Sequence, residues 1–220
     1  MRGFFASAFL LASLSVSQLV SAAGNSELGQ QKAAACIGCH GPDGNSPTLP
    51  SSAEQWPKLA GQMPEYIAKQ ITDFKAGKRK NGQMSPQAQN VVEMDIADIA
   101  AFFAKQQVKA GEAADKSLLA QGEKLFLKGK GRPDAVAACV GCHGINGVGQ
   151  RTWANSYKST PTVLTPAIGG QHSRYTVKQL QTFRDGSRAN DVGSVMHNIA
   201  MRLDDKDIAA VAEYVSTLAR

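Results

Sequence analysis

Cys36 and Cys39 stand with two residues between them and His40 directly after, and Cys139, Cys142 and His143 repeat the arrangement. These two C-x-x-C-H pentapeptides contain all four cysteines of the chain and two of its four histidines. Two thiols on one helical turn can add to the two vinyl groups of a porphyrin, and the adjoining imidazole then lies under the iron as its proximal ligand. The spacing therefore implies two covalently bound haem c groups, with His40 and His143 on the irons. A structural zinc site made from two C-x-x-C knuckles has no need of a histidine after each pair. A short C-x-x-C disulfide belongs in a thioredoxin-like βαβ setting, which the sequence lacks.

A six-coordinate haem iron needs a distal ligand, and a thioether there favours ferrous iron and raises the potential. The first half offers Met63, Met84 and Met94; the second offers Met196, Met201, His172 and His197. Only Met84 and Met196 are methionines at equivalent places in both halves, each eleven residues before an Asp-Ile-Ala segment. Met94 and Met201 lie in or beside apolar helical patterns and are expected in the core, the commoner fate of a methionine. His172 aligns with Met63 and is the alternative distal ligand, although its place at a helix start predicts exposure. Pro57 and Pro166 open matching P-x-[LI]-x-G segments. A carbonyl held rigidly there can accept the proximal histidine's ring N–H, fix its tautomer and tune the iron; a plain rigid turn is the other reading.

The elements that must position these groups occur twice. Pro57 to Gln70 matches Pro166 to Gln179, and Phe74, Gly77, Arg79 and Asn81 match Phe183, Gly186, Arg188 and Asn190. A period of about 100 residues denotes two similar domains rather than a solenoid. Ser26 and Ser117 are expected to cap helices leading to the haem motifs. One helix should run from Pro64 to a stop at Gly77, and its counterpart from about Ser173 to Gly186. The last helix of the second half should start at Asp204 and carry Ile208, Val211, Val215 and Leu218 on one face; Ile96, Ile99 and Phe103 mark the equivalent helix of the first half. No convincing alternating strand appears, so the fold class is all-α: a tandem repeat over 24–108 and 118–220, joined by a short polar linker at 109–117.

Residues 1–23 read as a secretory signal peptide: Arg2, an apolar run from Phe4 to Leu14, and a small-x-small cleavage pattern ending near Ala22 or Ala23. The run is too short to span a bilayer. Export agrees with haem attachment, and both point to the periplasm. Residues 24–108 carry eight Lys/Arg and eight Asp/Glu, whereas residues 118–220 carry thirteen against eight. That bias can steer the second half toward an acidic partner, or be ordinary solvated surface. Nothing points to nucleic acid.

Taken together, the signal peptide, the two C-x-x-C-H motifs, P-x-L-x-G-Q before Tyr66 and its counterpart before Tyr175, and the Met-to-Asp-Ile spacing resemble the dihaem cytochrome c4 family, two class I cytochrome c domains in tandem. The resemblance implies a pseudo-twofold arrangement with the propionate edges of the haems approaching each other. It implies the axial pairs His40 with Met84 and His143 with Met196, and supports Pro57 and Pro166 as histidine partners. It places Gly29 and Gly122 where first and last helices cross, near Phe102 and Tyr214. It also implies an electron carrier, not an enzyme, that is soluble or peripherally membrane-associated. A quinol–cytochrome c oxidoreductase-type donor and a terminal oxidase-type acceptor are the expected partners. An electron-accepting subunit of a periplasmic dehydrogenase has the same sequence features, and a dihaem redox enzyme would need an open or unusually ligated iron. The second half departs from the repeat at Lys128 to Val136 and at Arg151 to Thr165, which contains Trp153 and Tyr157.

Overall fold

The structure is a computed structural model that describes residues 24–151 and 164–220. The expected signal peptide, and most of the Arg151–Thr165 insert with Trp153 and Tyr157, lie outside the described residues. The first half contains α1 (Ser26–Lys32), α2 (Ala34–His40), α3 (Pro64–Lys75), α4 (Met84–Gln89) and α5 (Ile96–Lys105). The second contains α6 (Leu119–Lys128), α7 (Val140–His143), α8 (Ser173–Arg184), α9 (Val195–Ala200) and α10 (Asp205–Thr217). Among the described residues the only β pairing is two isolated antiparallel bridges, Lys130 with Val136 and Gln150 with Thr165. The fold is all-α.

Each half rests on a crossing of its first and last long helices, α1 over α5 and α6 over α10. Glycine makes the approach possible. A Cβ on Gly29 would lie 2.0 Å from the Asp98 carbonyl oxygen, and one on Gly122 would lie 2.1 Å from that of Ala210. Phe102 and Tyr214 flank the two crossings, as the resemblance implied. Around them lie two apolar cores. One gathers Ile67, Ile71, Ile96, Ile99, Phe102 and Phe103; the other gathers Leu125, Phe126, Ile208, Val211 and Val215.

The helix limits follow local chemistry. Pro64 takes the first position of α3, where its missing N–H costs nothing. Gly77 and Gly186, at φ +70° and +77°, leave α3 and α8 through left-handed backbone that a side chain would strain. Two expectations are corrected. Asn25, not Ser26, caps α1, its Oδ1 accepting from Glu27 N and Leu28 N. In the second half Asp115, not Ser117, caps the 3-10 turn that leads into α6. In both cases an amide or carboxylate side chain one or two positions earlier reaches the first free N–H groups and takes the serine's place. Met94 and Met201 are also corrected. They are 86% and 58% exposed rather than core. Met94 occupies the 3-10 turn ahead of α5 and Met201 the C-cap of α9, so neither joins the apolar stripe it adjoins in sequence.

The connector is tied down at several points. Lys109 bonds Asn45 and Asp43, Gly111 N donates to Ser216 O, and Ala114 N donates to Glu213 Oε2.

Candidate metal centres

Helix α2 carries the whole first pentapeptide, and α7 with its N-cap Cys139 carries the second. Each helix ends at a glycine of positive φ, Gly41 and Gly144, which turns the chain sharply away behind the histidine. Cys36 packs against the first core, while Cys139 and Val140 pack against the second. All four thiols are unpaired. Burial pushes the Cys36 and Cys142 thiols up and Cys139 to about 11. Among the described residues no group of three or more His, Cys, Asp or Glu converges on a metal-sized site, so the two pairs do not form one tetrahedral centre.

His40 and His143 are buried, and each Nδ1 lies 2.9 Å from a prolyl carbonyl, His40 from Pro57 and His143 from Pro166. Burial lowers both pKa values and the carbonyl bonds oppose it more weakly, so the imidazoles stay neutral. With the proton on Nδ1 and held by the carbonyl, Nε2 keeps its lone pair for iron. This donor set suits a haem: a neutral imidazole of fixed tautomer, next to two free thiols on the same turn.

Met84 opens α4, which packs on α3; Met196 lies in α9, which packs on α8. Both are half-buried. Their backbones are held alike by a short polar side chain from the preceding loop: Asn81 Oδ1 accepts from Met84 N, and Asp191 Oδ2 from Met196 N, each at 2.8 Å. The other Asp191 oxygen, Oδ1, is buried without a partner.

His172 is elsewhere engaged, and its predicted exposure is corrected. It is half-buried at the contact between the halves, with Nε2 2.9 Å from Ser46 O and 3.1 Å from Ser46 Oγ. Nε2, which donates to that carbonyl, has no lone pair for iron. His197 Nδ1 is likewise bound, to Phe183 O at 2.6 Å.

The contact between the halves is polar, and its central bonds are paired. Arg79 donates to Gln70 of its own half and to Tyr175 and Gln179 of the other. Arg188 donates to Gln179 of its own half and to Tyr66 and Gln70 of the other. Both guanidiniums are buried, stacked over Phe74 and Phe183, and among the described residues neither forms a salt bridge. Burial works against ionisation of the Tyr66 hydroxyl, but the charges of Arg188 and Arg79 outweigh it and hold its pKa below the ordinary value. Arg174 donates to the carbonyls of Leu49, Pro50, Ser51 and Ala53. Two glutamines complete the contact: Gln171 bonds both backbone groups of Lys58, and Gln62 both of Ala167. These residues carried no functional reading in the sequence. The signal was there, since Gln62, Tyr66, Gln70 and Arg79 recur as Gln171, Tyr175, Gln179 and Arg188 without helical periodicity requiring it.

Family models match both halves: "Cytochrome c" over residues 119–219 and "Cytochrome C oxidase, cbb3-type, subunit III" over residues 27–103. The chain is 45% identical to cytochrome c4 of Pseudomonas aeruginosa over 95% of its own length and 96% of that protein. A crystal structure of reduced recombinant cytochrome c4 from Pseudomonas stutzeri superimposes with a TM-score of 0.76 at 42% identity, covering 89% of this chain and all of that one. A thiosulfate dehydrogenase electron acceptor of Thiomonas intermedia is 32% identical, covering 84% of this chain and 79% of that protein.

Proposed function

Because this chain belongs to the cytochrome c4 family, with two covalently bound haem c groups and electron transfer rather than catalysis as its role, we propose that it carries single electrons through the periplasm toward a terminal oxidase-type acceptor. A quinol–cytochrome c oxidoreductase-type protein is the proposed donor. Each bound haem supplies an iron that cycles between the ferric and ferrous states.

The chain's own residues do the rest. Cys36 with Cys39, and Cys139 with Cys142, anchor the two groups. His40 and His143 would offer Nε2 to the irons, Pro57 and Pro166 hold the opposite ring nitrogens, and Met84 and Met196 would supply the thioether ligands. Held by both side chains, each iron would keep no position open for a substrate. Arg79 and Arg188, buried among neutral partners at the contact between the halves, would supply positive charge to haem propionates should their edges approach there. The two domains span 24–108 and 118–220 with a connector at 109–117, and residues 1–23 are removed on export. Among the described residues no helix is long and apolar enough to cross a membrane.

The observation that carries this reading is the twice-repeated bond from a buried histidine Nδ1 to a prolyl carbonyl, at 2.9 Å in each half. What distinguishes it from an ordinary buried histidine bond, such as that of His197 to Phe183 O, is that it recurs at the histidine of both C-x-x-C-H motifs. An optical redox titration of the haem-loaded protein is the test. Two high-potential waves, with the methionine-to-ferric-iron band retained in the oxidised state, are expected. A low-potential or ligand-binding haem would overturn the axial assignment. The relative from Thiomonas intermedia supports a second reading, acceptor to a periplasmic dehydrogenase. Co-purification with such an enzyme, and rapid reduction by it, distinguishes the two.

A further inference from the structure

The Pro57–Lys58 peptide unit is bonded on both sides. Its carbonyl oxygen accepts from His40 Nδ1 at 2.9 Å, and its N–H donates to Gln171 Oε1 of the other half at 2.9 Å. The second half repeats this in reverse. The Pro166 carbonyl accepts from His143 Nδ1 at 2.9 Å, and the N–H of the same peptide, Ala167 N, donates to Gln62 Oε1 at 2.9 Å. Each glutamine is pinned by a second bond, Gln171 Nε2 to Lys58 O at 2.9 Å and Gln62 Nε2 to Ala167 O at 2.8 Å. The N–H needs an acceptor and the C=O a donor, so only one orientation of each side-chain amide satisfies both. Gln62, Gln171, Lys58 and Ala167 are all buried, which removes water as a substitute partner. Each Oε1 also accepts from the backbone N–H that follows it, Met63 N or His172 N.

We propose that Gln171 and Gln62 are crossed positioning residues: each sets, through one peptide unit, the reduction potential of the haem held by the opposite half. The proposal rests on His40 and His143 being the proximal ligands. A peptide is a resonant, planar group, so an acceptor on its N–H draws negative charge onto its oxygen. Chains of hydrogen bonds in a low dielectric strengthen one another in this way. A more negative prolyl oxygen pulls harder on the imidazole N–H, makes Nε2 a stronger donor and favours ferric iron. Gln171 thus lowers the potential in the first half and Gln62 that in the second. The relay also gives each centre a bonded path to the other half's framework, so a shift of one half against the other is felt at both irons.

The test uses the full-length, haem-loaded protein. Gln171→Leu should raise the wave of the first-half haem and leave the second-half wave in place, although residue 171 belongs to the second half. Gln62→Leu should do the opposite. Gln171→Glu, which keeps the acceptor oxygen and adds charge to it, should move the first-half wave down, and it serves if leucine is not tolerated. In the diamagnetic ferrous protein, the Lys58 amide proton and the His40 Nδ1 proton should both move upfield in Gln171→Leu. Arg174→Ala removes bonds between the halves but no atom of the relay, and should shift neither wave. A shift confined to the substituted residue's own half, equal shifts in both, an unmoved wave, or an equal effect from Arg174→Ala would each overturn the relay. Failure of the axial assignment is separable, because it shows in the unsubstituted protein as a missing methionine-to-iron band.

Discussion

Six methionines stand in the chain, and the fold gives the described ones distinct surroundings. Met63 is buried at the N-cap of α3, Met94 and Met201 face solvent, and Met84 and Met196 are half-buried with their backbones held by Asn81 and Asp191. Replacing either of the last two by alanine should lower one potential by a sizeable part of the roughly 0.8 V that axial ligation spans, and leave the other largely intact. The titration and the methionine-to-iron band read both effects; a variant that kept both original waves would show that its methionine is no ligand. The C-x-x-C-H groups were legible at once, because haem attachment is a requirement on five adjacent residues. Choosing among methionines took the internal repeat, since a thioether ligand and a core filler look alike in a single segment. The exposure of Met94 and Met201 was not legible: an apolar stripe says which face is buried, not whether a residue at the helix end still lies on it.

At the level of helices, the two crossings decide how the pentapeptides are presented. Gly29 lies against Asp98 O and Gly122 against Ala210 O, closer than any side chain allows. Gly122→Ala should push α6 off α10 and cost about 1–3 kcal/mol, lowering the melting temperature by several degrees. Gly29→Ala should do the same to α1 and α5. Thermal unfolding followed by haem absorbance and far-ultraviolet circular dichroism measures it, and an unchanged midpoint would mean that the crossing relaxes freely. Helix spans were legible where a special residue sets them: Pro64, Asp204, and the glycines Gly77 and Gly186. The caps at Asn25 and Asp115 were less so, because a neighbouring serine offers the same chemistry and only the backbone angles choose between them.

For the molecule as a whole, the contact between halves is a paired exchange of polar groups, each arginine reaching the other half's tyrosine. A double-mutant cycle of Arg79→Met with Tyr175→Phe should give a coupling of about 1.5–3 kcal/mol, the worth of a hydrogen bond to a charged group. Denaturant unfolding of the haem-loaded protein supplies the four stabilities, and additive effects would mean that the pair does not hold the halves together. The sequence showed that Arg79, Gln70 and Tyr66 have counterparts at Arg188, Gln179 and Tyr175. It did not show that they meet, because such contacts join residues some hundred positions apart and leave no local periodicity. Arg174, His172 and Arg220 apart, the groups of this surface find their complements among their own equivalents, so that much of it is complementary to itself. One half alone already carries the reaching glutamine and the receiving peptide, the arginine and the tyrosine, and so is fitted to pair with a second copy of itself. The connector then does not create the association. It raises the effective concentration of one face for the other, and it frees equivalent positions to differ, as Lys58 does from Ala167 and Met63 from His172.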